Sequence, residues 1–137
     1  MTVSGQHTIV GMTWIAIAVG GALGSVARHA VNHFVHVRWL ATRFPAGTVL
    51  VNLTGCVLIG LLAGLIASER LTVGPRWREF IFVGLLGGFT TFSTFGLDTL
   101  LLSRTHSAGT AALNVVLHVA GGLLAVWIGY HLGAADA

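Results

Sequence analysis

The chain is 137 residues long, 55% hydrophobic and only 8% charged, where soluble globular domains carry about 25% charged residues. A mean hydropathy of +0.87, with seven arginines against four acidic residues, excludes an ordinary water-soluble enzyme and makes lipid the solvent for most of the chain. About 20 apolar residues cross a bilayer, so four spans with short connections use nearly the whole length, and residues 1–137 are expected to form one all-α transmembrane domain.

The polar leader Met1 to Gly11 contains no Lys or Arg, and the apolar run after it is too long for a signal-peptide core, so no cleavage is expected. A first span is predicted over about 12–35, carrying Arg28 and, in its last turns, His29 and His33. With His36 these histidines share a helix face at i, i+4 and i+7. No carboxylate lies close in sequence, so they read as interfacial titratable residues rather than as a metal site. Pro45 suits a first helical turn, and a second span follows over about 46–67. On it Thr48, Asn52 and Gly55 form one stripe of hydroxyl, amide and bare backbone. Asn52 is either an interhelical hydrogen-bonding residue or a pore-lining donor to an anion. Cys56, the single cysteine, permits no intramolecular disulfide and reads as a small packing residue.

The third span, about 80–102, holds Gly87-Gly88-Phe89-Thr90-Thr91-Phe92-Ser93-Thr94-Phe95-Gly96. Adjacent glycines and four hydroxyl residues disfavour continuous helix, so this helix is predicted to break mid-membrane. Backbone freed there must be satisfied by protein, water or an ion. The carbonyls of Gly87 and Thr90 suit a small hard cation. Phe89, Phe92 and Phe95 share a face if helix resumes, and ring edges, being electropositive, suit a small anion. Asp98 follows one turn later, with Arg28 as its expected partner. The fourth span, about 110–132, has a second polar stripe in Asn114 and His118. Glycine pairs at spacing four recur in every span (Gly20 and Gly24, Gly60 and Gly64, Gly84 and Gly88, Gly129 and Gly133) and predict close helix packing in lipid.

Every basic residue is arginine. The absence of lysine removes P-loop and Schiff-base chemistry, and the arginines are scattered over connections instead of clustered with aromatics, which excludes nucleic acid as a partner. Four spans place both termini on one side, with Arg70, Arg76 and Arg78, while Arg38, Arg43 and Arg104 lie opposite. Counting Arg28 with the latter leaves almost no positive-inside bias. Dual insertion is therefore expected, with an antiparallel homodimer as its product.

Gly24-Ser25-Val26-Ala27-Arg28, Gly47-Thr48-Val49-Leu50-Val51-Asn52-Leu53-Thr54-Gly55 and Gly87-Gly88-Phe89-Thr90-Thr91-Phe92-Ser93-Thr94-Phe95 resemble the CrcB-type fluoride ion channels, the Fluc family, over about residues 12–133. The third-span motif is the most specific of the three. The resemblance implies a fluoride-selective channel in the prokaryotic cell (inner) membrane, a dual-topology dimer with two antiparallel pores, and a central structural sodium ion. Carried over residue by residue, it implies that the Gly87 and Thr90 carbonyls of both subunits ligate sodium. Phe92 and Phe95 then present ring edges to fluoride, Asn52 is the pore amide, Thr91, Ser93 and Thr94 form a hydroxyl track, and Arg28 and Asp98 lie near the vestibules. Asn114 fits the family's Tyr or Asn, whereas His118 departs from the small hydroxyl or amide more usual there. The partner subunit is a second copy of this chain or a related one. Hydrofluoric acid crosses membranes neutral and is trapped inside as fluoride, so a passive pore driven by membrane potential suffices for export. A proton-coupled small multidrug-resistance transporter has similar length and span number. Its first-helix carboxylate is absent, since Arg28 is the only charged residue of the first span.

Overall fold

The computed structural model describes residues 3–38 and 44–135, so Arg43 of the first connection lies outside the described residues. Among these the fold is all-helical, and four helices are long and apolar enough to cross a membrane: Gly11–Arg38, Ala46–Ala67, Pro75–Thr105 and Ala108–Ala134. Helix α1 (Val3–Arg38) extends back through most of the polar leader, and α2 (Ala46–Ala67) begins directly after Pro45. The third span is composite. α3 (Pro75–Arg78) starts on a proline and runs into a π-helical segment (Glu79–Leu86) and a last turn, α4 (Gly87–Phe89); after an interruption, α5 (Phe92–Thr105) completes it. α6 (Ala108–Ala134) is capped by Ser107, whose hydroxyl accepts from the Thr110 amide at 3.1 Å.

Two glycine-lined crossings hold these helices. Gly60 and Gly64 of α2 lie against the backbone of Val126, Tyr130 and Ala134 of α6, and Gly129 and Gly133 of α6 lie against Val57, Leu61 and Leu65 of α2. A methyl group at any of the four meets main-chain atoms, so the helices touch backbone to backbone. The second crossing joins α1 to the π segment and α4. A Cβ on Gly88 falls 2.6 Å from the Gly21 carbonyl oxygen, and one on Gly84 falls 2.9 Å from that of Ile17. Such contact replaces the apolar driving force that lipid cannot provide between helices.

The side chains sealed inside a single chain are few. Val51 and Asn114 are the largest that are fully buried, whereas Trp14, Val26, Phe92, Leu123 and Leu132 all point outward. Outward apolar side chains on membrane-length helices belong against lipid or another chain.

Candidate functional site

The third span loses helical geometry at two residues. Thr90 (φ −83°, ψ 161°) and Thr91 (φ −153°, ψ 115°) are extended between α4 and α5. Four of the backbone groups at the break meet a partner from another helix. The Asn52 amide pairs with the Thr91 peptide at both ends: Nδ2 donates to the Thr91 carbonyl at 3.0 Å, and Oδ1 accepts from the Thr91 N–H at 2.8 Å. Arg28 Nη1 reaches the Thr90 carbonyl at 3.4 Å, and Ser25 Oγ the Gly88 carbonyl at 3.5 Å. Thr91 also caps α5, its Oγ1 accepting from the Thr94 amide at 3.2 Å, donating to Thr94 Oγ1 at 3.0 Å and lying 3.3 Å from Ser93 Oγ. Gly55 leaves room for the Thr90 methyl, which a Cβ there would strike. Asn52 and Gly55 of the predicted stripe thus face the interruption, while Thr48 donates to Asp98 further along α5.

Three sequence expectations need correction. Gly87 and Gly88 do not unwind; both are helical, because Gly88 is spent on close approach to Gly21, and the break is confined to the two threonines. Arg28 and Asp98 do not pair. Arg28 stands on α1, which packs against the helix before the break, while Asp98 lies on α5, beyond it, and accepts from Thr48 Oγ1 at 2.9 Å. Phe89 does not join the face of Phe92 and Phe95, since the extended threonines intervene and its ring lies beside Gly55.

Beside the break is a cleft of about 330 Å³ bordered by Asn52, Gly87, Thr91, Phe92, Phe95 and His118, among others. The Phe92 and Phe95 rings meet edge to face at 5.2 Å and 61°. They differ sharply in setting: Phe95 is 9% exposed and Phe92 is 82% exposed. The His118 ring lies over Phe95 at 4.5 Å, and its Nδ1 is 2.9 Å from the Asn114 carbonyl oxygen. Asn114 Nδ2 donates to Thr99 Oγ1 at 2.8 Å, and Thr99 Oγ1 donates to the Phe95 carbonyl at 2.8 Å. Asn114 Oδ1 and His118 Nε2 are buried and have no partner.

Thr99 is a site residue that the sequence motifs do not include, and Ser25 belongs to the first-span motif without a role assigned there. The signal for Thr99 was its hydroxyl one turn after Phe95, on the side of Asn114. His29, His33 and His36 are exposed near the end of α1, with the His29 and His33 rings 6.4 Å apart, and no group of three metal-ligating side chains occurs among the described residues.

A bundle of four membrane-length helices, one of them interrupted, braced by polar side chains and flanked by a cleft, has the architecture of a multi-pass integral membrane protein. The family model described as CrcB-like protein, Camphor Resistance (CrcB), matches residues 15–130, and the chain belongs to that family. It is 47% identical over 116 residues to "Fluoride-specific ion channel FluC" of Methylobacillus flagellatus, covering 85% of this chain and 90% of that protein. Identity is 48% over 118 residues to the protein of the same name from Opitutus terrae, covering 85% of this chain and 89% of the relative. The like-named protein of Nitrobacter winogradskyi is 48% identical over 121 residues, covering 83% and 94%.

Proposed function

We propose that this chain is a subunit of a fluoride-selective channel that lets fluoride leave the cytoplasm down its electrochemical gradient, without enzymatic chemistry or energy coupling, and so lowers fluoride toxicity. The observation that carries the reading is the edge-to-face pair Phe92 and Phe95, set beside a break that Asn52 clamps through both ends of its amide. Ring edges carry partial positive charge. Lining the cleft, they replace part of a hydration shell without supplying a fixed charge that would trap the ion. Thr91, Ser93 and Thr94 add hydroxyls linked at 3.0 and 3.3 Å, and on the α6 side His118 borders the cleft with Asn114 buried one turn before it. The relatives' name supports fluoride as the ion.

Sodium fits the main chain at the break. In an α-helix the Gly87 carbonyl would accept from the Thr91 N–H, but that N–H is given to Asn52 instead. The Thr90 carbonyl has only the long 3.4 Å contact from Arg28. Both are hard oxygen donors, and when bound there sodium supplies charge that ties together carbonyls no helix satisfies. Arg28 and Asp98 serve as structural charges on either side of the break, each held by its own hydrogen bond.

A second copy of the chain, or a related subunit, completes the pore. Phe92 at 82% exposure and a cleft open on one side call for a covering surface, and the balanced arginines favour an antiparallel partner in a prokaryotic inner membrane. The multidrug-transporter reading has no acidic group on α1 to exchange protons and is set aside.

Purified protein in liposomes tests the proposal. With a potassium ionophore present, fluoride is expected to leave rapidly and chloride hardly at all; equal rates for the two halides would defeat it.

A further inference from the structure

Hydrogen-bond direction on α6 points beyond a passive anion path. His118 Nδ1 faces the Asn114 carbonyl oxygen at 2.9 Å, and a carbonyl only accepts, so the proton of the neutral ring sits on Nδ1. Nε2 is then a bare acceptor, buried and without a partner among the described residues. Asn114, one turn earlier, is fixed by the same logic. The Thr99 hydroxyl spends its proton on the Phe95 carbonyl, so its oxygen takes the Asn114 Nδ2–H, and Oδ1 becomes a second unpartnered acceptor. Both orphaned atoms on this stripe are acceptors, which repel an anion and attract a proton donor. His118 borders the cleft and lies on Phe95, the buried ring of the edge-to-face pair.

We propose that His118 takes up a proton together with fluoride, so that fluoride occupancy and conduction rise as pH falls. The inference rests on the fluoride-channel reading and adds a proton linkage to that same site. The proton comes from solvent and adds to the Nε2 lone pair, and the new N–H donates to fluoride. No protein bond breaks, and the added positive and negative charges cancel, which suits a buried setting. Arrival of neutral hydrofluoric acid gives the same composition, its proton passing to, or shared with, Nε2. Imidazole is the side chain whose charge ordinarily changes in this pH range.

Groups from α5 and α2 lie near His118. From α5, Asp98 is an acidic side chain within electrostatic range of it. From α2, Cys56 borders the same cleft, as do Phe82, Leu86 and Gly87, which do not titrate and stand on elements that do not pack against α6. The Phe95 ring, 4.5 Å away and tilted by 33°, offers its face to a cationic imidazole.

The test is fluoride efflux from proteoliposomes between about pH 8 and about pH 6, after subtracting leak from protein-free vesicles. Wild-type flux is expected to rise by up to about tenfold per pH unit while the ring is mostly neutral, and His118→Gln flux to stay level. A level wild-type profile, or an equal slope in His118→Gln, overturns the proposal. Should His118→Gln not assemble, calorimetry of fluoride binding to the wild type in buffers of different ionisation heat decides. Uptake near one proton per fluoride supports the linkage, and no uptake overturns it. Fluoride flux without a pH slope removes this inference alone, whereas no fluoride flux at any pH removes the channel reading as well.

Discussion

The α2–α6 crossing and the Thr90–Thr91 break lie a few turns apart and solve opposite problems. At the crossing, glycines bring two helical main chains together and shape governs the contact, with Ser68 Oγ donating to the Gly133 carbonyl at 3.2 Å where α6 ends. At the break, peptide groups leave their helix and must be met from outside, so Asn52, Arg28 and Ser25 supply hydrogen bonds. A membrane protein tolerates irregular backbone only where such partners exist. One region is therefore intolerant of volume, and the other of changed hydrogen-bonding capacity.

Substitutions separate the two sensitivities. The largest effect is expected from Gly129→Val, whose side chain meets the Val57 carbonyl and lies within 2.9 Å of the Leu61 amide nitrogen. Forcing that contact costs about 3 kcal/mol or more, and size-exclusion chromatography should show loss of the assembled protein. Asn52→Asp keeps the volume but removes the donor to the Thr91 carbonyl and adds a charge. A carboxylate at that depth costs roughly 2.5–3.5 kcal/mol, so fluoride flux should fall at least about a hundredfold while assembly is retained. Loss of assembly together with flux would mean that the clamp is mainly a folding element.

Thr48→Val removes the 2.9 Å hydrogen bond to Asp98. A bond to a charged acceptor is worth about 1.5–3 kcal/mol, and a roughly tenfold fall in flux is expected, with unchanged preference for fluoride over chloride. Gly11→Ala is the smallest change. Nothing lies within 4 Å of the added methyl, so helix propensity alone operates, stability should rise by no more than about 1 kcal/mol, and flux should be unaffected.

The helices were legible because hydropathy and length define membrane spans with little ambiguity, and the Thr48, Asn52, Gly55 stripe because one helix's periodicity determines its face. Interhelical partners were not. Arg28 and Asp98 are the natural pair by charge, yet α1 packs against the helix before the break and α5 lies beyond it, a relation that no one-dimensional spacing contains. Gly88 illustrates a second limit. The same residue type marks an unwound backbone or a tight helix contact, and only the position of Gly21 decides for the latter. The direction of the hydrogen bonds through Thr99, Asn114 and His118 likewise emerges only when three side chains on two helices are seen together.

Interrupting the third span has an electrostatic consequence that side chains do not supply. A helix has a dipole equivalent to about half an elementary charge at each end, positive at the amide end and negative at the carbonyl end. Because α4 ends at Phe89 and α5 restarts at Phe92, the negative pole of one segment and the positive pole of the next stand two residues apart. An unbroken rod would have cancelled them along its length. The two threonines therefore install opposite poles side by side in the apolar interior, so the main chain itself, besides Arg28, treats cation and anion differently there.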